Sequence, residues 1–432
     1  MKMTLSPTKR AIFAVLPTVV LLCAATIAFR LLERYGVIYT YRIDDQAQYS
    51  LGTVEIVPCG MGDCFETLNP GMLKSRFPAK KPRNTFRVFI TGGSFMRGDP
   101  YIPGRGSDEL PPGGIARWMK AYFEMRFPSL KFEVINAASG GANSKLVAHI
   151  VNDLVELDPD LIVVGSGNNE GWLPATPFNE ALHRWIFYRV LKKTLLPEPD
   201  PSERSFFAPQ DKDTKAIERG FRQNLRGIGE ITSRRRVPLV LCTLPINLKY
   251  EGTESSDLHG EPFAKDDPNL EKGDRLFSHN RFEEAITAYA GSINQGCAAL
   301  KIAKCYETTG RYDLAKKFYK IHVQQIPFNR TRPSYNEFVR RLAAQRGVLL
   351  VDLERLLESI SPYGIPDTAL FKDYCHMHWE GYRMAAEEIV SKIVDAGIVP
   401  ARPLPAPATD EMIRKYHWEI LKSDIKSGDD IR

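Results

Sequence analysis

Between residues 86 and 396 the chain alternates short apolar runs with amphipathic stretches, and this alternation limits the fold more than any other feature. FRVFIT (86–91) is β-branched and aromatic and stops at Gly92-Gly93-Ser94. FEVIN (132–136), DLIVVG (160–165), VPLVLCTL (237–244) and GVLLVDL (347–353) repeat the pattern. Segments 114–127, 145–157, 214–236, 334–346 and 381–396 carry apolar residues at helical spacing. Short apolar strands separated by helices predict a five-stranded parallel sheet with helices on both faces. Residues 35–80 lack any such pattern and read as an irregular juxtamembrane linker.

Residues 11–29, AIFAVLPTVVLLCAATIAF, carry no charge. At 1.5 Å per residue they span about 28 Å, close to the ~30 Å hydrocarbon core. Lys2, Lys9 and Arg10 precede the run, and Arg30 and Arg34 follow it, a bias toward a cytoplasmic N-terminus. The reading is an uncleaved signal anchor over 1–34 that places the rest of the chain on the periplasmic side of the inner membrane. A cleaved signal peptide is the competing reading, because Pro17 interrupts the run and small residues occupy 24–28.

Over 432 residues, 58 basic and 52 acidic side chains leave a net charge of +6, too mild for a nucleic-acid binder. Seven cysteines exclude a dense disulfide scaffold. Cys59 and Cys64, in PCGMGDC, are close enough to pair across a Gly-rich turn, with two unpaired thiols as the alternative. Cys242, Cys297, Cys305 and Cys375 have the neighbours of buried small apolar residues.

Two segments interrupt the alternation. Residues 179–196 are amphipathic and aromatic, either an excursion packed on the domain or a lid or membrane-facing helix that uses Trp185, Phe187 and Tyr188. Residues 267–328 hold a repeat at an offset of 30, in which Gly273, Ala285 and Tyr289 match Ala303, Ala315 and Tyr319. It resembles tetratricopeptide repeats, with Pro327 at the closing position. Two repeats do not make a solenoid, so they must lean on the α/β domain. Structural support and docking of a protein partner are both open as their use.

An open parallel sheet binds ligands at the carboxyl ends of its strands. Those ends offer Ser94, the Gly-rich run 136–143, Asn169, and Asp373 three residues before His376. A serine hydroxyl needs a base within hydrogen-bond reach, and His376 fits that role. Asp373 would hold the imidazole tautomer. The backbone N–H groups of Ser94 and Gly141 and the amide of Asn169 would serve as fixed donors to a tetrahedral oxyanion. A metal reading through Cys375, His376 and His378 lacks a distant partner cluster, and no motif requires a cofactor.

These blocks resemble the SGNH (GDSL-type) hydrolase superfamily. VFITGGSFMRG resembles the nucleophile block, VINAASGGANS the glycine block, VVGSGNNEG the G-x-N-[DE] block and DYCHMHWEG the D-x-x-H block. The resemblance covers about 81–247 and 330–397. It assigns Ser94 as nucleophile, Gly141 (or Gly140) and Asn169 to the oxyanion hole, and Asp373 and His376 to the triad. It implies a flavodoxin-like three-layer α/β/α fold. The nucleophile block departs from the pattern in reading Gly-Gly-Ser instead of Gly-Asp-Ser.

The expected chain is an anchor (1–34), a linker (35–80), a catalytic domain in two parts (81–266 and 329–398) split by the helical insertion (267–328), and an extension (399–432). The expected activity is hydrolysis of an O-acyl ester, for example acetyl, on a carbohydrate or envelope polymer. An O-acyltransferase using the same site, or a non-catalytic envelope scaffold, are the alternatives.

Overall fold

The computed structural model describes residues 7–34, 37–38, 56–60, 62–67, 72–73, 75–102, 114–171, 182, 185–196, 214–250, 267–294, 296–325 and 330–415. Pro327 and the Pro-rich stretch 197–213 lie outside them. The chain divides into two compact units, Met1–Val57 with Pro174–Arg204, and Pro58–Leu173 with Ser205–Arg432.

Two helices of the first unit are described, Pro7–Arg34 and Ile186–Leu195. Over Val15–Leu32 the first is long and apolar enough to cross a membrane. Phe29 and Phe187 bring the two helices together, with ring centroids 6.3 Å apart. On the shorter helix Ile186 and Arg189 are buried, while Leu191 and Leu195 are exposed.

The second unit begins with the Cys59–Cys64 disulfide. Cys64–Thr67 then pairs antiparallel with Arg76–Pro78, and Phe65 lies opposite Phe77. The stretch expected to be irregular therefore contains strands. They are three and four residues long and of mixed polarity, too short to show a period of two.

The central sheet and its helices follow in order: β1 (Thr85–Gly92), α1 (Ser94–Arg97), α2 (Ile115–Arg126), β2 (Lys131–Asn136), α3 (Ser144–Leu154), β3 (Leu161–Gly165), α4 (Thr214–Arg235) and β4 (Leu239–Thr243). Four helices then intervene: α5 (Pro268–Ser278), α6 (Phe282–Ala290), α7 (Gly296–Thr308) and α8 (Tyr312–Gln325). The α/β alternation resumes with α9 (Pro333–Arg346), β5 (Leu349–Asp352), α10 (Leu353–Ile360), α11 (Trp379–Asp395) and α12 (Thr409–Lys415). The strands are all parallel, in the order β2-β1-β3-β4-β5, which is the doubly wound, flavodoxin-like arrangement.

Alternation along the strands sends side chains to both faces. Val88, Ile90, Val163, Val240 and Val351 join one core with Trp118, Tyr122 and Phe123 of α2 and Tyr382, Ile389 and Ile393 of α11. Phe221 of α4 stacks on Tyr335 of α9, with centroids 4.4 Å apart, in the layer that also includes α3. Each fully buried large apolar side chain contributes about 1.5–3 kcal/mol. Helix α10 was not expected, because β5 runs into it without a loop. Asp352 ends the strand and caps the helix, accepting from the Arg355 backbone N–H at 3.2 Å.

In the insertion, Ala285, Tyr289, Ala315 and Tyr319, the repeated small and aromatic positions, are all buried. The insertion also shares a core with the chain that leaves β4. Ile246 and Leu248 pack with Leu300, Ala303, Tyr319 and Val323.

Candidate active site

Ser94 is the first residue of α1, directly beyond the carboxyl end of β1. Two glycines make this turn. Gly92 has φ +155°, and a Cβ there would lie 2.1 Å from the carbonyl oxygen of Gly165, its neighbour on β3. No side chain fits that approach. Gly93 lies against the Asn169 side chain, and a Cβ on it would sit 2.7 Å from Asn169 Nδ2. The turn is closed by Ser139, whose backbone N–H donates to the Gly92 carbonyl at 2.9 Å.

The base comes from a loop 282 residues later in the chain. His376 Nε2 lies 2.8 Å from Ser94 Oγ. His376 Nδ1 lies 2.6 Å from Asp373 Oδ2. The other Asp373 oxygen accepts from the backbone N–H groups of Cys375 (2.8 Å) and His376 (2.7 Å). The loop is closed on itself by Lys372 N–H donating to the His376 carbonyl and His378 N–H donating to the Leu370 carbonyl, both at 2.9 Å. Asp373 and His376 are thus oriented by their own turn before any substrate arrives.

These contacts set the charges. Burial works against an ionised Asp373, but the His376 ring and the two backbone N–H groups outweigh it and hold the carboxyl below its ordinary value. Burial also works against a charged His376, yet the Cys375 sulfur beside the ring and Asp373 hydrogen-bonded to it together raise it above the ordinary imidazole value. A carboxylate that stabilises the imidazolium in this way is what a general base opposite serine requires.

The expected oxyanion donors border the same turn. Asn169 is buried just beyond β3, and its Nδ2 donates to the Ala142 carbonyl at 3.0 Å. Gly141 adopts φ +76° in the turn that Ala142 N–H closes onto the Ser139 carbonyl. Gly140, the alternative in the glycine block, instead faces the Arg97 guanidinium. That guanidinium is tied to Asp99 by two hydrogen bonds, at 2.7 and 2.5 Å.

Three further residues hold the site, and single-sequence reasoning gave none of them a role. Glu170 receives the Ser144 N–H (2.7 Å) and hydroxyl (2.8 Å), fastening the Asn169 loop to the N-terminus of α3. Burial pushes its carboxyl up to about 7. Asn247 donates from Nδ2 to the Asp373 carbonyl at 2.9 Å and is fully buried. Arg330 is buried beside both loops, with its guanidinium carbon 5.3 Å from the centre of the Tyr250 ring. Glu170 falls inside the G-x-N-[DE] block, and that position is the signal that could have pointed to it. Asn247 and Arg330 left no signal of their own.

Ligating atoms of Asp373, Cys375 and His376 lie within 4.8 Å of one another. Both imidazole nitrogens are already engaged, by Asp373 and Ser94, so the ring offers no lone pair to a cation. His378 turns instead to the Thr368 carbonyl, 3.2 Å from Nε2. The set therefore favours proton transfer over metal ligation.

No protein-family model matches the chain, and no curated protein does. Among solved structures the chain is similar to a GDSL-like lipase from Bacteroides thetaiotaomicron, at 11% identity over 74% of this chain and 93% of that one, with a TM-score of 0.35. It is similar to a catalytic variant of an acetylxylan esterase from Geobacillus stearothermophilus, at 14% identity over 71% and 94%, TM-score 0.35. An acetyl xylan esterase matches at 12% identity over 71% of this chain and all of that one, TM-score 0.35. At that level of overlap the functional assignment rests on the chain's own residues.

Proposed function

We propose that this chain is a serine esterase of the SGNH type, anchored in the inner membrane by its N-terminal helix, with the catalytic unit in the periplasm. The observation that carries the reading is the continuous line Ser94–His376–Asp373, with contacts of 2.8 and 2.6 Å between loops 282 residues apart.

Ser94 Oγ attacks the acyl carbonyl while His376 Nε2 takes its proton. Asp373 holds the other nitrogen and the charge that forms on the ring. The tetrahedral oxygen is met by the N–H groups of Ser94 and Gly141 and by Asn169 Nδ2, one such donor being worth about 2.7–4 kcal/mol. His376 returns the proton to the departing alcohol, leaving acyl-Ser94. Water, deprotonated by His376, then releases the acid and restores the hydroxyl.

The anchor and the Cys59–Cys64 disulfide both suit an oxidising compartment outside the cytoplasm. An esterase held there meets envelope molecules, so the proposed substrate is an O-acyl group, acetyl being the simplest, on a carbohydrate or envelope polymer.

The test is hydrolysis of p-nitrophenyl acetate by the detergent-solubilised full chain beside Ser94→Ala. The variant should lose about 10⁴-fold or more in kcat. Equal rates in the two proteins would refute the mechanism.

A further inference from the structure

Arg330 is a buried guanidinium beside the site that forms no ion pair among the described residues. Only 4% of its surface is exposed. Among the described residues its Nε and Nη1 have no hydrogen-bond partner, and Nη2 makes one long contact of 3.4 Å to the Tyr250 carbonyl. Among the described residues no carboxylate forms an ion pair with it. Asp373, whose charge reaches it, is spent on His376 and two backbone amides. The other groups acting on it are Tyr250, Tyr374 and Cys375, two phenols and a thiol, and burial pushes Tyr374 and Cys375 further toward their uncharged forms. A buried guanidinium without a counter-charge is costly, and so is a buried donor without an acceptor.

Its place ties it to the proposed chemistry. The next residue, Thr331, donates its backbone N–H to Asn168 Oδ1 at 2.9 Å, docking this segment on the loop that carries Asn169. On the other side the Tyr250 ring lies 6.0 Å from Tyr374, and Tyr374 lies 6.2 Å from the His376 ring. Arg330 therefore stands between the oxyanion loop and the catalytic histidine loop. Asn168 Nδ2 and Thr331 Oγ1, on the two segments joined by the Thr331–Asn168 bond, are also buried without a hydrogen-bond partner among the described residues.

We propose that Arg330 is the anion-recognition residue of the substrate site, receiving a carboxylate or phosphate group carried by the ester, with Asn168 and Thr331 as neutral partners. This rests on the esterase reading and narrows it, since the preferred substrate is an acidic acyl ester rather than a neutral one. An oxyanion supplies both the missing charge and acceptors for Nε and Nη1, and the planar guanidinium suits either oxyacid.

The test compares kcat/KM of the detergent-solubilised full chain on three acetyl esters: an O-acetylated oligouronate, an O-acetylated glycerol phosphate and a neutral O-acetylated xylo-oligosaccharide. At least one acidic ester should exceed the neutral one by about tenfold or more. Whichever acidic ester leads identifies the group as carboxylate or phosphate. In Arg330→Gln the acidic-to-neutral ratio should collapse toward one, and Arg330→Lys should keep part of it. Wild-type ratios near one, or a ratio unchanged in Arg330→Gln, would overturn the proposal. Should Arg330→Gln fail to fold, competition in the wild type decides. Unacetylated oligouronate or glycerol phosphate should inhibit, and neutral xylo-oligosaccharide should not; equal inhibition by all three would overturn the assignment. Failure to hydrolyse p-nitrophenyl acetate would instead refute the esterase reading, so the two failures are separate results.

Discussion

Replacing Gly93 with alanine should slow the proposed reaction while leaving the fold intact. Gly93 has φ −84° and ψ −163°, extended backbone that alanine adopts without strain. Its added Cβ, however, would lie 2.7 Å from Asn169 Nδ2 and 3.3 Å from the Ala142 carbonyl, where ordinary contact begins near 3.4 Å. The amide nitrogen is the end of a side chain and the carbonyl is backbone, so the amide yields, by about 0.7 Å (3.4 minus 2.7). An oxyanion donor is worth about 2.7–4 kcal/mol in full. Losing roughly half of that through misplacement gives about 1.4–2 kcal/mol, or about 10- to 30-fold in kcat. Asn169→Ala, which removes the donor, should cost about 10²- to 10³-fold. The assay is steady-state hydrolysis of p-nitrophenyl acetate by the two single variants and the double variant, with thermal melts alongside. If the steric route runs through Asn169, Gly93→Ala costs almost nothing further in the Asn169→Ala background. Full additivity, or an unimpaired single variant, would refute the reasoning. Gly93→Asp should be at least as damaging, although it restores the sequence more usual before the nucleophile.

Glu170→Gln tests the buried carboxyl behind the Asn169 loop. Its folded-state value of about 7 lies above the ordinary 4.5, so the folded protein favours the protonated form and stability falls as pH rises through that window. A rise from 4.5 to about 7 corresponds to about 3 kcal/mol, and melts from pH 4.5 to 8 should show a slope that flattens in the variant. Parallel slopes in the two proteins would count against it. His376 must be neutral to accept the Ser94 proton, and its value is raised, so kcat/KM should climb with pH through an apparent pKa above the ordinary 6.5. Asp373→Asn should move that limb downward, and an unmoved limb would deny the carboxylate its role. Asn247→Ala leaves the Asp373 carbonyl without its buried donor, costing about 1–3 kcal/mol of stability and lowering kcat more than it changes KM. A normal kcat would show that the turn positions Asp373 unaided.

Much of the fold was legible because its signals are local. Each strand of the sheet is a run of apolar residues, and each was expected within three residues of its observed ends. The site residues were legible because a doubly wound sheet collects the loops at its strand ends, so Ser94, Asn169 and the Asp373–His376 pair could be read as neighbours from topology alone. What escaped has no local period. The pair Cys64–Thr67 and Arg76–Pro78 is too short, and α10 begins where an apolar strand was still expected. Asn247 acts on a carbonyl 126 residues away, and Arg330 is buried against Tyr250, 80 residues away. An asparagine after a strand and an arginine before a helix are common enough in any chain to carry no signal until the fold places them.

The helical insertion belongs to this argument about placement. Along 246–249 the residues alternate in what they touch. Ile246 and Leu248 are buried against Leu300, Ala303, Tyr319 and Val323 of the insertion. Asn247 between them faces the other way, onto the Asp373 carbonyl. Lys249 then pairs with Glu307 of α7 at 2.6 Å and with Asp367, on the approach to the catalytic loop, at 3.3 Å. Tyr312 of α8 stacks on Tyr363 with centroids 3.5 Å apart. Of the two uses the sequence left open for these helices, support has named contacts: they hold the strip of chain that holds Asp373. A closely packed interior transmits displacement more readily than it absorbs it. Loosening α8 at Val323 should therefore reach the triad through Leu248 and Asn247, and appear in kcat before it appears as unfolding.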